Sequence, residues 1–110
     1  MKIHHIAIQV DNIKENISFY CNKFNANIEY EDKTWAMLNF DNIQLALVLP
    51  EEHPPHICFE KRLPKSIPAK EHRDGTKSVY DFDPSGNMIE LLDSEDSRQL
   101  ELNFNDWGNN

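Results

Sequence analysis

The sequence predicts an α+β fold in which a strand-helix-strand-strand-strand module is written twice, the second copy lacking most of its helix. Three observations predict it. A histidine opens a short apolar strand twice, in His5-Ile6-Ala7-Ile8 and in His56-Ile57-Cys58-Phe59. Each is followed, at a similar distance, by a strand carrying one polar side chain among apolar ones: Gln44 between Ile43 and Leu45, and Glu90 between Ile89 and Leu91. Where the second copy should have its helix stand Pro64 and Pro68. Proline lacks the amide proton and clashes with the preceding turn, so a regular helix is not expected there.

The elements follow in order. Residues 2–10 alternate with β-branched side chains and read as a strand. Asp11-Asn12 offers a helix cap, and Ile13, Ile17, Tyr20 and Phe24 recur on one helical face. Residues 25–31 and 34–40 read as a hairpin turning at Asp32-Lys33. Asp41-Asn42 turns again into a strand at 43–49. Module one is therefore 1–50. The linker 50–55, Pro50-Glu51-Glu52-His53-Pro54-Pro55, is stiff and cannot continue a strand ladder. Module two is 56–93, with a strand at 56–60 and a hairpin of 69–73 and 76–82 around Asp74-Gly75. A turn at 83–87 and a last strand at 88–92 complete it. The tail, 94–110, is rich in acids and amides. Leu100, Leu102 and Phe104 alternate within it as in a strand, and Trp107 is its one large apolar anchor.

A chain of 110 residues holds one small domain, or two half-domains sharing a core, and such a small core predicts a homodimer. The net charge of −8 argues against a nucleic-acid partner, which requires a basic face. Basic side chains gather in 61–77, at Lys61, Arg62, Lys65, Lys70, Arg73 and Lys77, against only Glu71 and Asp74. That segment reads as a solvated connection or an anion-attracting loop. No apolar run approaches the roughly 20 residues of a membrane helix, and no leader peptide is visible. Cys21 and Cys58 lack a short metal-type spacing and read as buried free thiols of a reduced, cytoplasmic chain.

His5, Gln44, His56 and Glu90 form a set of four metal-capable side chains. A lone strand histidine carries little; the coincidence of four carries the argument. Strand side chains alternate faces, so Ala7 shares the face of His5, while Ile6 and Ile8 turn to the helix. A carboxylate at position 90 among apolar neighbours is costly to bury unpaired, and a divalent ion supplies that pairing. His4 is expected on the opposite face and not as a ligand. His53 is expected in solvent, and His72 near the rim of the site. Trp35, Met37, Phe40, Tyr80 and Phe82 are candidates to line a cleft.

The chain resembles the vicinal oxygen chelate superfamily, the glyoxalase, bleomycin-resistance and dioxygenase group. The resemblance spans residues 2–93. It is carried by His5-Ile6-Ala7-Ile8-Gln9-Val10-Asp11, by the helix with Phe19-Tyr20, and by Asp83-Pro84-Ser85-Gly86-Asn87-Met88-Ile89-Glu90-Leu91. It implies paired βαβββ modules whose curled mixed sheets enclose a cleft. It implies His5, Gln44, His56 and Glu90 as ligands of one divalent ion, Zn, Ni, Co, Mn or Fe. It implies a metal-dependent lyase or isomerase of glyoxalase or epimerase type, acting on a small oxygenated substrate. Glu90 would be the catalytic base as well as a ligand, since the Gln44 amide is not basic. A two-base epimerase needs another carboxylate, for which Glu29 and Glu31 are the candidates. Two other family activities stand as alternatives: a metal-free sequestering protein of the bleomycin-resistance type, and an Fe(II) extradiol-type dioxygenase using His5, His56 and Glu90. The family habit of pairing modules across subunits would let His5 and Gln44 of one chain meet His56 and Glu90 of the other.

Overall fold

The computed structural model describes residues 1–63, 70–71 and 77–93, with the backbone alone at 70–71. The elements are β1 (Ile3–Gln9), α1 (Ile13–Phe24), β2 (Asn27–Glu31), β3 (Trp35–Asn39), β4 (Gln44–Val48), β5 (His56–Lys61), β6 (Lys70–Glu71), β7 (Lys77–Phe82) and β8 (Met88–Asp93). The α+β class expected from the sequence is what the structure has. The chain divides into two compact units, one of Ile3–Cys58 and one of Met1–Lys2 with the chain from Phe59 onward. The division falls inside β5, so His56 belongs to the first unit.

In the first unit the strand order is β2-β3-β4-β1. The β2–β3 and β3–β4 pairs are antiparallel hairpins, while β4 returns parallel to β1. A parallel neighbour requires a crossover, and α1 with β2 and β3 provides it. The helix starts where the Asn12 side chain accepts the Glu15 amide at 2.9 Å. It ends where Asn25 adopts φ 58° and its amide donates to the Tyr20 carbonyl. That left-handed cap is why β2 begins at Asn27 and not at residue 25. Ile13 and Ile17 are buried against Val10, Ala26, Ala36, Leu38 and Leu47. Tyr20 packs on the same core, but Phe24 is 51% exposed, so the apolar face does not run the full helix. Phe24 instead meets Phe19 and Tyr20, with ring centroids 5.8 and 6.1 Å away.

In the second unit β7 is antiparallel to β8, and β6 is antiparallel to β7. The Glu60 amide donates to the Lys2 carbonyl at 2.9 Å. The β7–β8 turn is fixed by Asp83, whose side chain accepts the amides of Ser85 and Asn87 at 2.9 and 2.8 Å. Asn87 Nδ2 donates to the other carboxylate oxygen at 2.9 Å. Gly86 closes the turn with φ +88°, a conformation L side chains rarely adopt. The proline-bearing segment at 64–69, the Asp74-Gly75 turn, His72 and the tail from residue 94 lie outside the described residues.

Candidate metal centre

The β1–β4 register builds one side of the site. His5 lies opposite Gln44, Ala7 opposite Ala46, and Gln9 opposite Val48. Laterally paired residues share a sheet face, so His5 and Gln44 project to the same side. The other face, with Ile8, Leu45 and Leu47, packs on α1. Ala7 and Ala46 form a separate small cluster with Met37 and Trp35 on the face of His5. The alternation read from the sequence is therefore the alternation of the structure. Trp35 and Met37 lie on the expected face. Phe40 does not, because it packs into the helix-side core.

His56 opens β5, and its ring centroid is 5.5 Å from that of His5 at 75°. Both residues are buried, each 8% exposed. Two imidazoles on one tetrahedral ion have centroids roughly 5 Å apart, so this pair suits a shared ion. The His56 Nδ1 lies 3.0 Å from the Pro54 carbonyl oxygen. A carbonyl only accepts, so Nδ1 carries the proton and Nε2 the lone pair. The two histidines lie side by side within this chain.

The surroundings differ from expectation at two histidines. His4 does not stay away from His5: their Nδ1 atoms are 2.8 Å apart. His53 is half-buried, 6.2 Å from the His56 ring, and its carbonyl accepts the Gln9 side chain at 2.9 Å. Cys58, on the same strand face as His56, is fully buried. His4, His5 and Cys58 each offer a ligand atom, all within 4.8 Å of one another. His4 and Cys58 were not singled out from the sequence as candidate donors. The signal for Cys58 was present, since a residue two places after His56 shares its strand face.

Glu90 lies on β8 in the second unit, 5% exposed and opposite Tyr80 on β7. The Tyr80 hydroxyl is 3.5 Å from Glu90 Oε2. Phe82, expected to line a cleft, is 60% exposed. Glu29 and Glu31 are also exposed on β2. Glu31 pairs with Ala36, on the helix side, and Glu29 falls in an irregularity between Ile28 and Tyr30. Neither is placed as a second base beside His5.

One carboxylate of the first unit is electrostatically distinct. Burial raises the Asp32 carboxyl, but hydrogen bonds from the Tyr30 hydroxyl, the Thr34 amide and hydroxyl and the Trp35 amide outweigh it. Together they lower it from 3.8 to about 2. This Asp-centred turn holds Trp35 where its ring stacks on Tyr30 at 4.6 Å.

The family described as the Glyoxalase/Bleomycin resistance protein/Dioxygenase superfamily matches residues 2–58. No curated protein matches the chain. Among solved structures, methylmalonyl-CoA epimerase from Streptomyces coelicolor in complex with 2-nitronate-propionyl-CoA is similar at a TM-score of 0.66 and 17% identity. It covers 86% of this chain and 97% of that one. A glyoxalase/bleomycin resistance protein/dioxygenase superfamily member from Vibrio splendidus 12B01 gives 0.62 and 12%, with 84% and 97% covered. Methylmalonyl-CoA epimerase from Mycobacterium tuberculosis gives 0.62 and 14%, with 83% and 86% covered.

Proposed function

The chain belongs to the glyoxalase/bleomycin resistance protein/dioxygenase superfamily, and from that premise we propose that it is a metal-dependent lyase or isomerase acting on a small oxygenated substrate. The observation that carries this reading is the buried pair His5 and His56, at 5.5 Å, with Gln44 in register beside His5. These three and Glu90 are the residues that would hold the ion. The chemistry a divalent ion supplies in such a set is chelation of two neighbouring substrate oxygens and stabilisation of enolate charge.

The remaining work falls to the chain. Pro54 fixes the His56 tautomer, presenting Nε2 as donor. Gln44 adds a neutral oxygen and no basicity. Glu90 removes the proton from the carbon next to the substrate carbonyl and returns it to the product. With Glu29 and Glu31 out of position, one base serves both transfers, which favours an isomerase or lyase over a two-base epimerase. A homodimer is part of this proposal, since each chain has a small core. Among the described residues no helix is long and apolar enough to cross a membrane.

The test is solvent exchange. Metal-loaded protein is incubated in deuterium oxide with the glutathione thiohemiacetal of methylglyoxal or with methylmalonyl-CoA, and carbon-bound deuterium is followed by NMR. Exchange abolished by Glu90→Gln is expected. Exchange absent with both probes, or unchanged in Glu90→Gln, overturns the reading.

A further inference from the structure

A second donor set includes His5. We propose that His4, His5 and Cys58 form a zinc-binding set of two imidazoles and a thiolate, sharing only His5 with the quartet and standing independently of the activity proposed above. Their ligand atoms lie within 4.8 Å of one another. The Nδ1 atoms of His4 and His5, 2.8 Å apart, share one proton between two nitrogens. An ion can replace that proton and draw on both lone pairs. Cys58 is fully buried, where a thiolate is stable only with a cation beside it.

The two sets differ in softness. Imidazole and thiolate together select zinc over manganese and iron(II), whereas amide and carboxylate oxygens suit the harder ions. His5 is common to both, so zinc on the thiolate set draws that imidazole away from Gln44. The same chain would then be loaded by one class of metal and antagonised by another.

Cobalt(II) is the probe, added to reduced, chelator-treated full-length protein. A thiolate-to-cobalt charge-transfer band in the near ultraviolet is expected, displaced by zinc. It should survive Cys21→Ser and Glu90→Gln. It should vanish in Cys58→Ser, and His4→Gln should weaken cobalt affinity about tenfold or more. Cobalt binding with no thiolate band overturns this proposal while leaving the quartet intact. A band that persists in Cys58→Ser or disappears in Cys21→Ser overturns it as well. If Cys58→Ser does not fold, the wild-type and Cys21→Ser spectra together decide the matter, since the chain has two cysteines.

Discussion

The Pro54 carbonyl and the His56 ring form a hydrogen-bonded pair of 3.0 Å two residues apart in sequence. The linker is thus part of the site. Its prolines stop the strand ladder and also present a carbonyl that sets which nitrogen of His56 can donate. Removing the stiffness loosens the imidazole without touching a ligand. Pro55→Gly is expected to weaken metal affinity by about tenfold, the usual cost of a lost supporting interaction, measured by competition with a coloured chelator. Unchanged affinity would show that the ring is held by other means.

Glu90 is a buried carboxylate, and its contribution depends on the ion. In metal-loaded protein it is a ligand, so Glu90→Gln should lower the thermal midpoint by more than in chelator-treated protein, where the gain from bound metal is absent. Thermal scans of both proteins in both states check this. An equal shift in both states would remove Glu90 from the metal set.

Asp32 predicts a pH-dependent stability. Its carboxyl is lowered from 3.8 to about 2 by its hydrogen bonds, so the stabilisation is present above the unfolded value. It is lost as pH falls through the folded one. Asp32→Asn should cost roughly 1 kcal/mol at neutral pH, after allowance for solvent screening. The cost should shrink between pH 3.8 and about 2. Denaturant midpoints of both proteins across pH measure it, and a pH-independent difference would refute the assignment.

The ends of α1 give a paired stability test. Asn12→Ala removes the side-chain acceptor of the Glu15 amide and should cost about 1 kcal/mol. Asn25→Ala should cost a similar amount, roughly 1 kcal/mol, because alanine resists the left-handed region, whereas Asn25→Gly should be neutral or better. Urea titrations with far-ultraviolet circular dichroism compare the three.

Strand order and the His5 face were legible because period-two alternation fixes which side chains share a side. That His5 and Gln44 are lateral neighbours is given by the β1–β4 register, because alternation assigns a face and not a partner strand. The left-handed cap at Asn25 was not legible, since an asparagine between a helix and a strand fits either element. Nor was the irregularity at Glu29, which moves the register of β2 by one residue and turns Glu31 away from His5. His4 was misjudged for a related reason. Alternation assigns a face to the Cβ atom, but an imidazole long enough to fold back brings its Nδ1 to 2.8 Å from that of its neighbour.

The central proposal is that His5, Gln44, His56 and Glu90 share one ion. Elemental analysis of Cys58→Ser protein, in which the thiolate set is removed, purified without added metal or chelator, beside His56→Ala and Glu90→Gln made in that same background, tests it most directly. One divalent ion per chain in the parent, lost from both variants, is the expected result. Equal metal content in all three proteins, or none in the parent after reconstitution, contradicts it.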